Sequence, residues 1–315
     1  MLGLLTVSVV SLNVGVMAPA SAVARGSVRM QLGGAVASAA ESLKTTIGGP
    51  GGKTKLLVIG GNGFVGREVC KYAVQAGFEV TSLSRRGECP LPKDEYLSQV
   101  SWNAGSALDK ATVNKYVGQA DAVVHCIGLL FDVNSGLTGL NNVVSGSRAA
   151  VDPDESTYDN ITRRSALMII EAMRAKAALP ALMGKRAPIA FVSCAESGWP
   201  DVRFGDRVEA SAPEWLQRYL VAKRAVEAAL MESTGQLRPV IVRPSLIWNW
   251  QKLDVLPIIP VFNIASALGV PFVDKTVRVE DVGRAIVQGL LDDTVSGVQR
   301  FGEMEELSAS LPVPK

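Results

Sequence analysis

The sequence predicts an α/β protein built on a doubly wound parallel β-sheet with helices on both faces. Short apolar runs alternate with segments of helical periodicity through residues 53–243. The runs show little polar alternation, which is typical of strands that are buried on both faces. Alternation at this spacing implies parallel strands joined by right-handed helical crossovers. Any ligand is therefore expected at the carboxyl ends of the strands.

The individual elements follow in order along the chain. The first strand is predicted at residues 56–59 and the second at 78–84, with a helix between them that ends at Gly77. The later elements are predicted in the order strand 99–102, helix 107–117, strand 121–127, helix 154–177, strand 188–193, helix 213–234 and strand 238–243. The connection at residues 129–154 is long for a compact domain, and such loops are usually functional or disordered.

A glycine-rich turn follows the first predicted strand. Gly60, Gly63 and Gly66 recur every three residues between an apolar strand and a periodic helix. In that context they form a dinucleotide fingerprint, because they allow a tight turn, close approach of a pyrophosphate and close packing of the helix on the strand. The helix N-terminus then offers N–H groups and a positive dipole end to the phosphates. The predicted cofactor-binding residues of the turn are Gly60, Gly61, Asn62, Gly63, Phe64, Val65 and Gly66.

The end of the second predicted strand refines the choice of cofactor. A site that prefers NAD places a carboxylate there, about 20 residues after the glycines. This chain has Ser84, Arg85 and Arg86 instead, and guanidinium groups suit the 2′-phosphate of NADP. The sequence therefore predicts NADP(H) in preference to NAD(H), with these three residues binding the cofactor. Two solvated surface arginines are the alternative interpretation.

A tyrosine and a lysine lie on one face of the predicted helix 213–234. Tyr219 and Lys223 are four positions apart, so their side chains point the same way. A nearby cation favours the phenolate, and we expect it to lower the pKa of Tyr219 from about 10. Tyr219 is therefore the predicted proton donor to a carbonyl that receives hydride, and Lys223 is its electrostatic partner and a ligand of the nicotinamide ribose. Ile127 and Gly128, after the fourth strand, are the remaining predicted cofactor contacts.

The glycine-rich turn, Tyr219-x-x-x-Lys223 and the segment Val242-Arg-Pro-Ser-Leu-Ile-Trp248 together resemble the short-chain dehydrogenase/reductase superfamily in its extended or atypical branch. Within that branch the chain is similar to the ubiquinone-biosynthesis-associated proteins of fungi, to their plastid relatives in plants and to the NADPH-holding accessory subunit of mitochondrial complex I. The resemblance covers residues 53–307. It implies a Rossmann-like sheet, a small C-terminal substrate lobe and a bound nicotinamide dinucleotide.

One position departs from the pattern of that family. Active members carry Ser or Thr just after strand five, where its hydroxyl orients the substrate carbonyl, and this chain has Ala195 there. Ser193 lies two residues earlier and Ser197 two residues later. Loss of a donor to a developing oxyanion costs about 2.7–4 kcal/mol in other enzymes. Weak or absent reductase activity is therefore a serious hypothesis for this chain.

Two functions follow from these observations together with the resemblance, which is what points to quinones. The first is a reductase that acts on an apolar carbonyl or quinone-type substrate of prenylquinone metabolism, and the Tyr219–Lys223 pair favours it. The second is a non-catalytic protein, stabilised by nucleotide, that supports a membrane-associated complex linked to quinones, and Ala195 favours it. A third class, an RNA- or regulator-binding relative of the same fold, is not supported by a net charge of +2.

The composition of the chain excludes some classes of function. A hydrophobic content of 48% with a net charge of +2 indicates a sizeable core and no electrostatic footprint for nucleic acid. The chain has one histidine, His125, and four dispersed cysteines without a Cys-x-x-Cys pair, so no metal site is predicted. His125 is interpreted as a buried core residue of strand four, and contact with the nicotinamide is the alternative.

The first 52 residues differ from the remainder. Residues 1–24 carry no charged side chain, and residues 2–17 form an apolar run. The pattern indicates a cleaved targeting peptide, and a retained membrane span is the alternative. We expect a chloroplast location, with the mitochondrion as the alternative. The predicted organisation is a leader and glycine-rich linker at 1–52, a dinucleotide-binding domain at 53–307 with its C-terminal lobe at roughly 245–307, and a tail at 308–315.

The most apolar part of the second half is residues 246–272, directly after the sixth predicted strand. Pro257, Pro260 and Pro271 prevent it from forming one long helix. It is predicted to line a pocket for a long apolar substrate or to contact a membrane surface. Ordinary core of the lobe is the alternative.

Overall fold

The computed structural model of this 315-residue chain describes residues 52–138, 140–141, 153–249, 259–270 and 273–311. The predicted leader lies outside the described residues, and the connection at 129–154 lies only partly within them. The strands are β1 (Lys55–Ile59), β2 (Glu79–Ser84), β3 (Ser101–Ala104), β4 (Ala122–His125), β5 (Ala187–Val192), β6 (Leu237–Val242), β7 (Ile247–Trp248), β8 (Val277–Arg278) and β9 (Gly297–Gln299). The helices are α1 (Phe64–Gln75), α2 (Lys110–Gln119), α3 (Ser165–Leu182), α4 (Gly205–Ser211), α5 (Glu214–Glu232), α6 (Ile259–Ala267), α7 (Val279–Leu291) and α8 (Phe301–Ser310).

Seven of these strands form one parallel sheet in the order β3-β2-β1-β4-β5-β6-β9. The first six follow the doubly wound order, in which the chain runs outward in one direction from β1 and then in the other from β4. The predicted fold class is therefore confirmed. The two halves diverge between β1 and β4, where Ile59 pairs with His125, so the ligand crevice opens above these two strands.

Both faces of the central strand are buried, because successive side chains of a strand point to opposite faces. Leu56 and Val58 belong to a core that includes residues of α1, α7 and α8, whereas Leu57 and Ile59 belong to a second core formed with α2, α3 and α5. Helices therefore cover the sheet on both sides. This double burial explains why the strands appear in the sequence as continuous apolar runs.

Three predicted elements differ from the structure near their starts. The helix predicted at 107–117 begins at Lys110, because Asp109 is its N-cap. The third strand is Ser101–Ala104 rather than 99–102, because Leu97–Gln99 form a 3-10 turn. The helix predicted at 154–177 begins as a 3-10 turn and continues through a π-helical turn, Asp159–Arg164, before α3. The Ser165 hydroxyl donates to the carbonyl of Ile161 at 2.5 Å, and such a bond competes with the helical ladder and bends helices.

The chain after β6 returns to the main sheet. β7 and β8 form a small second sheet, α7 packs on α1, and β9 extends the main sheet beside β6. A Cβ on Gly283 of α7 would lie 2.9 Å from the Cβ of Glu68, so α7 and α1 approach closely there. Among the described residues, no helix is long and apolar enough to cross a bilayer.

Candidate dinucleotide and reductase site

The turn after β1 is shaped by hydrogen bonds and by the absence of side chains. Gly60 has φ +85°, a conformation that L side chains rarely adopt, and its N–H donates to the carbonyl of Leu83 at 2.8 Å. The N–H of Gly63 donates to the carbonyl of Gly60 at 2.9 Å. A Cβ on Gly60 would lie 3.0 Å from Cγ1 of Ile127, and a Cβ on Gly66 would overlap the carbonyl oxygen of Gly60. These positions therefore need glycine for steric reasons.

Gly61 is restricted as well, although it is not one of the spaced glycines. A Cβ there would overlap Oγ of Ser82 and lie 2.9 Å from Sγ of Cys70. Ser82 belongs to β2 and Cys70 to α1, so Gly61 is the point at which the turn fits between a strand and a helix. Any larger residue would push the turn outward into the crevice. The predicted role of Gly61 in cofactor binding is thus accompanied by a packing role that the sequence pattern does not reveal.

The N-terminus of α1 faces the same turn. Gly63 is its N-cap, and within the described residues no side chain caps the helix and no acidic residue lies in its first turn. The first backbone N–H groups of a helix lack intrahelical partners, and the dipole places partial positive charge there. Asn62, Phe64 and Val65 are half-buried beside this end. An uncapped helix N-terminus that follows a tight glycine turn is chemically suited to bind a pyrophosphate.

The end of β2 lies next to the glycine-rich turn. Ser84 is buried, and its Oγ accepts a hydrogen bond from the N–H of Gly87 at 3.1 Å, which stabilises a reversal of the chain. Arg85 and Arg86 are exposed in that reversal. The N–H of Gly60 donates to the carbonyl of Leu83, which precedes the two arginines by two and three residues. The segment that carries both arginines therefore lies beside the glycine-rich turn. This is the place at which the adenosine ribose of a bound dinucleotide is expected.

The end of β4 connects the turn to α5. Ile127 packs over Gly60, and a Cβ on Gly128 would lie 3.7 Å from Nζ of Lys223. The structure therefore brings the glycine-rich turn, the segment after β4 and the lysine of α5 to one edge of the sheet. This is the carboxyl edge of the parallel strands, where ligands of this fold class bind.

Lys223 is buried, with 3% of its surface exposed. Its Nζ donates to the carbonyl of Val192 at 2.6 Å and lies 4.9 Å from the ring centroid of Phe191 and 5.4 Å from that of Tyr219. Burial lowers the pKa of this ammonium, and the partial charges of Cys194, Glu227 and Cys126 oppose that shift. One of its three donors is thus used to hold the end of β5.

Tyr219 contradicts one expectation from the sequence. Burial raises the pKa of its hydroxyl well above 10, and the neighbouring Cys194 and Glu196 act in the same direction. The predicted lowering by Lys223 is wrong because the ammonium faces the ring of Tyr219 and donates to the carbonyl of Val192. Tyr158 packs edge-on against the same ring, at 5.4 Å between centroids. Tyr219 therefore holds its proton at neutral pH.

The segment after β5 carries a thiol and two hydroxyls around Ala195. The Sγ of Cys194 lies 3.3 Å from the Oγ of Ser197, and that oxygen lies 3.3 Å from the Oγ of Ser193. Ala195 donates its N–H to the carbonyl of Pro244 at 2.9 Å and begins the 3-10 turn Ala195–Asp201. Burial raises the pKa of Cys194 to about 12, so this thiol stays protonated. The sequence pattern identified the missing hydroxyl at Ala195 but not Cys194 as the neighbour of Tyr219.

Two ion pairs fix α5 in place, and sequence reasoning missed both. Glu227 lies on the same helix face as Lys223, one turn further along, and it binds Arg243 through contacts of 2.6 and 3.1 Å. Arg224 makes a bidentate pair with Glu209 of α4, at 2.6 and 2.7 Å, and also donates to the carbonyl of Ser197 at 3.0 Å. The first pair fixes α5 to the end of β6, and the second fixes α5 to α4 and the turn after β5.

A second set of contacts fixes the segment after β4 over the start of α5. Asp132, 1% exposed, accepts two hydrogen bonds from Arg218, each at 3.4 Å. The hydroxyl of Tyr158 donates to the carbonyl of Leu130 at 2.7 Å. These contacts build one wall of the crevice beside Tyr219. No sequence motif indicated them, because the partners are 28 and 86 residues apart.

His125 is buried, as expected from its place in strand four, with 1% of its surface exposed. Its Nε2 lies 2.9 Å from the Oγ of Ser165, and its Nδ1 has no hydrogen-bond partner among the described residues. Burial lowers the pKa of this imidazole to about 3, and the charge of Lys223 adds to the shift. The ring is therefore neutral at physiological pH. Among the described residues, no cluster of histidine, cysteine, aspartate and glutamate could hold a metal ion.

Comparison with known proteins agrees with this geometry. The sequence profile of a family described as NAD(P)H-binding matches residues 60–293. MIOREX complex component 2 of Saccharomyces cerevisiae is 26% identical over 224 residues, which cover 64% of this chain and 76% of the yeast protein. An uncharacterised protein of Arabidopsis thaliana, named as chloroplastic, is 43% identical over 74 residues, which cover 24% of each chain.

Solved structures share the fold at low sequence identity. ElxO with NADP bound has a TM-score of 0.54 and 15% identity, over 79% of this chain and 97% of that one. The 3-ketoacyl-(acyl-carrier-protein) reductase of Brucella melitensis, complexed with NADH, has a TM-score of 0.55 and 15% identity, over 79% of this chain and 96% of that one. The chain therefore belongs to the NAD(P)H-binding family and has the fold of short-chain dehydrogenases/reductases. The NAD(P)-binding class expected from the sequence motifs is confirmed.

Proposed function

We propose that this protein is an NADP(H)-binding reductase whose substrate is an apolar carbonyl or a quinone. The observation that carries the proposal is that a turn and a helix meet at one edge of the sheet. In the turn, Gly60, Gly61 and Gly66 leave no room for a Cβ, and the helix carries Tyr219 and Lys223. Membership of the NAD(P)H-binding family supports the cofactor class. The preference for the phosphorylated cofactor rests on Arg85 and Arg86, because this strand end offers two cations and no carboxylate.

Each group has a role in this proposal. The turn and the N-terminus of α1 would bind the pyrophosphate of a dinucleotide, Ile127 and Gly128 would contact its nicotinamide half, and Lys223 would hold the adjacent ribose. A dinucleotide held there would supply hydride for the reduction. Tyr219 donates its proton to the substrate oxygen, which accepts it readily once it becomes an alkoxide. The raised pKa of Tyr219 suits reduction, since the acid must be protonated before the reaction.

The site has a weaker set of donors than the family pattern provides. Ala195 offers no hydroxyl to the substrate oxygen. The thiol of Cys194, just before Ala195, and the hydroxyl of Ser197, two residues after it, contact each other. A thiol is a weak hydrogen-bond donor. We therefore expect a slow reductase whose rate depends almost wholly on Tyr219.

The apolar substrate is proposed from the surface beyond β6. Ile264 of α6 and Leu268, just after that helix, have 60% and 78% of their surfaces exposed, and Trp248 of β7 is half-buried. These apolar side chains belong to the part of the chain that follows the carboxyl end of β6, the edge at which ligands of this fold class bind, and they favour a hydrophobic substrate. The yeast relative is a component of a complex, and this supports a second candidate, in which the bound nucleotide stabilises a non-catalytic assembly protein. Ala195 and the use of Lys223 to hold Val192 favour that candidate.

Single-turnover oxidation of NADPH with a short-chain benzoquinone and with an apolar aldehyde tests the proposal. We expect Tyr219→Phe to slow the reaction at least about 100-fold with NADPH affinity unchanged, since general acids contribute roughly that much. Tyr96→Phe is the matched control, because it also removes one half-buried phenol hydroxyl but lies before β3, at the amino edge of the sheet. Equal rates in the wild type and Tyr219→Phe would exclude catalysis by Tyr219 and favour the assembly role.

Cofactor preference is tested by titrating NADPH and NADH separately. We expect Arg85→Glu to weaken NADPH binding about 10- to 100-fold and to leave NADH binding nearly unchanged, because the lost contacts are to the 2′-phosphate alone. Arg86→Glu, measured in parallel, shows whether the second guanidinium shares this role. Equal wild-type affinity for the two cofactors would contradict the assignment to the 2′-phosphate.

We further propose an organellar location, with the chloroplast preferred over the mitochondrion. The charge-free start of the chain and the chloroplastic name of the Arabidopsis relative support it. A fusion of residues 1–52 to a fluorescent protein should enter plastids. A cytosolic signal from that fusion would contradict the targeting role.

A further inference from the structure

The end of α3 exposes three large apolar side chains. Leu179, Leu182 and Met183 have 77%, 84% and 80% of their surfaces exposed. They occupy positions i, i+3 and i+4, so they form one continuous apolar face. This cluster, here called the α3 tip, is defined by these three residues.

The remainder of α3 follows the pattern of a core helix. Ile169, Met173 and Ala177 are buried against the sheet at intervals of four residues. The helix then continues for more than a turn past its last buried residue. Its apolar residues there contribute nothing to the core of the domain, and a contiguous exposed apolar cluster usually marks an interaction site.

The charged residues that flank the α3 tip along the chain have one sign. Residues 172–186 contain Arg174, Lys176, Lys185 and Arg186 and no acidic residue. All four cations are exposed. Glu171, just before this segment, is paired with Lys110 at 3.0 Å. The surface therefore combines exposed leucine and methionine with a local excess of positive charge.

The α3 tip lies away from the dinucleotide site. α3 ends shortly before β5 begins at Ala187, which places the tip at the amino edge of the sheet. The glycine-rich turn lies at the opposite, carboxyl edge. The contact made by the tip therefore does not compete with cofactor binding, and it is independent of the reductase proposal.

We propose that the α3 tip docks the protein on an anionic lipid surface. Leu179, Leu182 and Met183 enter the boundary between headgroups and acyl chains, and Lys185 and Arg186 contact the lipid phosphates. Apolar side chains framed by basic ones are the composition by which peripheral helices bind membranes. A second copy of this chain is a poorer occupant, because a symmetric contact would bring two sets of cations together.

Co-sedimentation of the full chain with phosphatidylcholine vesicles, with and without phosphatidylserine, tests this proposal. The wild type should bind the vesicles that contain phosphatidylserine more tightly, and high salt should weaken that binding. Lys185→Glu/Arg186→Glu should weaken it at least about 20-fold, from roughly fivefold for each basic residue near the surface. Leu179→Gln/Leu182→Gln/Met183→Gln should also reduce it strongly, and NADPH affinity should stay unchanged in both variants.

Matched controls separate the tip from any other part of the chain that binds lipid, including the apolar N-terminal run. Val221→Gln and Leu91→Gln remove exposed apolar side chains elsewhere, and Lys93→Glu/Lys115→Glu reverses two exposed cations elsewhere. These controls should bind vesicles like the wild type. Equal binding by tip variants and controls, or no preference of the wild type for anionic vesicles, would overturn the proposal. A concentration-dependent dimer in sedimentation velocity that the tip variants abolish would replace it with self-association.

Discussion

At the scale of single residues, Gly61 offers the sharpest test of how the nucleotide turn is built. We expect Gly61→Ala to destabilise the fold by about 1–3 kcal/mol, because the new methyl group overlaps Ser82 and crowds the thiol of Cys70. It should also weaken dinucleotide binding, since the turn must move outward. Urea unfolding and NADPH titration measure the two effects.

Gly118 provides the control for that substitution. It lies in α2 with open space around its Cβ position, so Gly118→Ala should stabilise the protein by up to about 1 kcal/mol through helix propensity. Cofactor affinity should not change. Equal effects of the two substitutions would mean that the contacts around Gly61 do not constrain the turn.

His125 gives a prediction about pH, because it is the chain's one histidine. Its pKa is about 3 in the folded protein and about 6.5 in an unfolded chain, so the unfolded state binds the extra proton first. The contribution of His125 to the free energy of unfolding is fully present above the pKa that it has in the unfolded chain. This contribution is lost as the pH falls from that value towards the pKa in the folded protein. The loss between about pH 7.5 and 5 is about 2 kcal/mol.

Two measurements check the histidine prediction. The single imidazole resonance in the proton NMR spectrum should show no titration above about pH 4. His125→Gln should remove about 2 kcal/mol of the pH dependence of urea unfolding between about pH 7.5 and 5. An imidazole that titrates near its ordinary pKa would show that water reaches the ring.

Residues also mark the limit of what the sequence could predict. The spacing of Gly60, Gly63 and Gly66 identified the turn, because a position that requires glycine for steric reasons is visible as a glycine in the sequence. The shift of the Tyr219 pKa was predicted with the wrong sign. That shift depends on burial and on which atom faces Lys223, and neither quantity is set by a separation of four positions along a helix.

At the scale of elements, the ion pair between α5 and the end of β6 determines how the site is held. The side chains of Arg243 and Glu227 are 12% and 7% exposed. We expect Arg243→Met to destabilise the protein by about 3–5 kcal/mol, because Glu227 is then a buried charge without its partner. Replacing both, as Arg243→Met/Glu227→Leu, should restore most of that loss.

Chemical denaturation of the two single variants and the double variant measures the coupling. The double variant should regain stability. Its rate of reduction should nevertheless differ from the wild-type rate if Tyr219 is catalytic, since Glu227 fixes the helix that carries Tyr219. Additive effects of the two substitutions on stability would contradict a direct coupling between Arg243 and Glu227.

The strands that could be predicted from the sequence are those that are buried on both faces. β1, β4, β5 and β6 appear in the sequence as mainly apolar runs because both faces of the sheet are covered. β9 is three residues, Gly297–Gln299, and has no such run. Its strand character comes from hydrogen bonds to β6, which no local pattern reveals. The π-helical turn before α3 was also missed, since its residues have the same helical periodicity in sequence as an α-helix.

At the scale of the whole molecule, the dinucleotide should stabilise the fold. Saturation at about 100 times the dissociation constant adds about 2.7 kcal/mol to the free energy of unfolding. Removal of residues 1–52 should leave this gain and the cofactor affinity unchanged, because β1 begins at Lys55 and the family match begins at residue 60. Thermal unfolding of the full and shortened chains, with and without NADPH, measures both. A reduced gain in the shortened chain would mean that residues 1–52 contribute to the cofactor site.

The packing of α1 on α7 has a consequence for biosynthesis. α1 follows the nucleotide turn near the start of the domain, and the helix against which it packs ends only at Leu291. Val282 and Ile286 of α7 share a core with Val69 of α1. A ribosome must therefore release almost the entire polypeptide before α1 gains this support. We therefore expect cofactor loading to follow translation, and a nascent chain arrested before residue 279 should fail to retain NADPH.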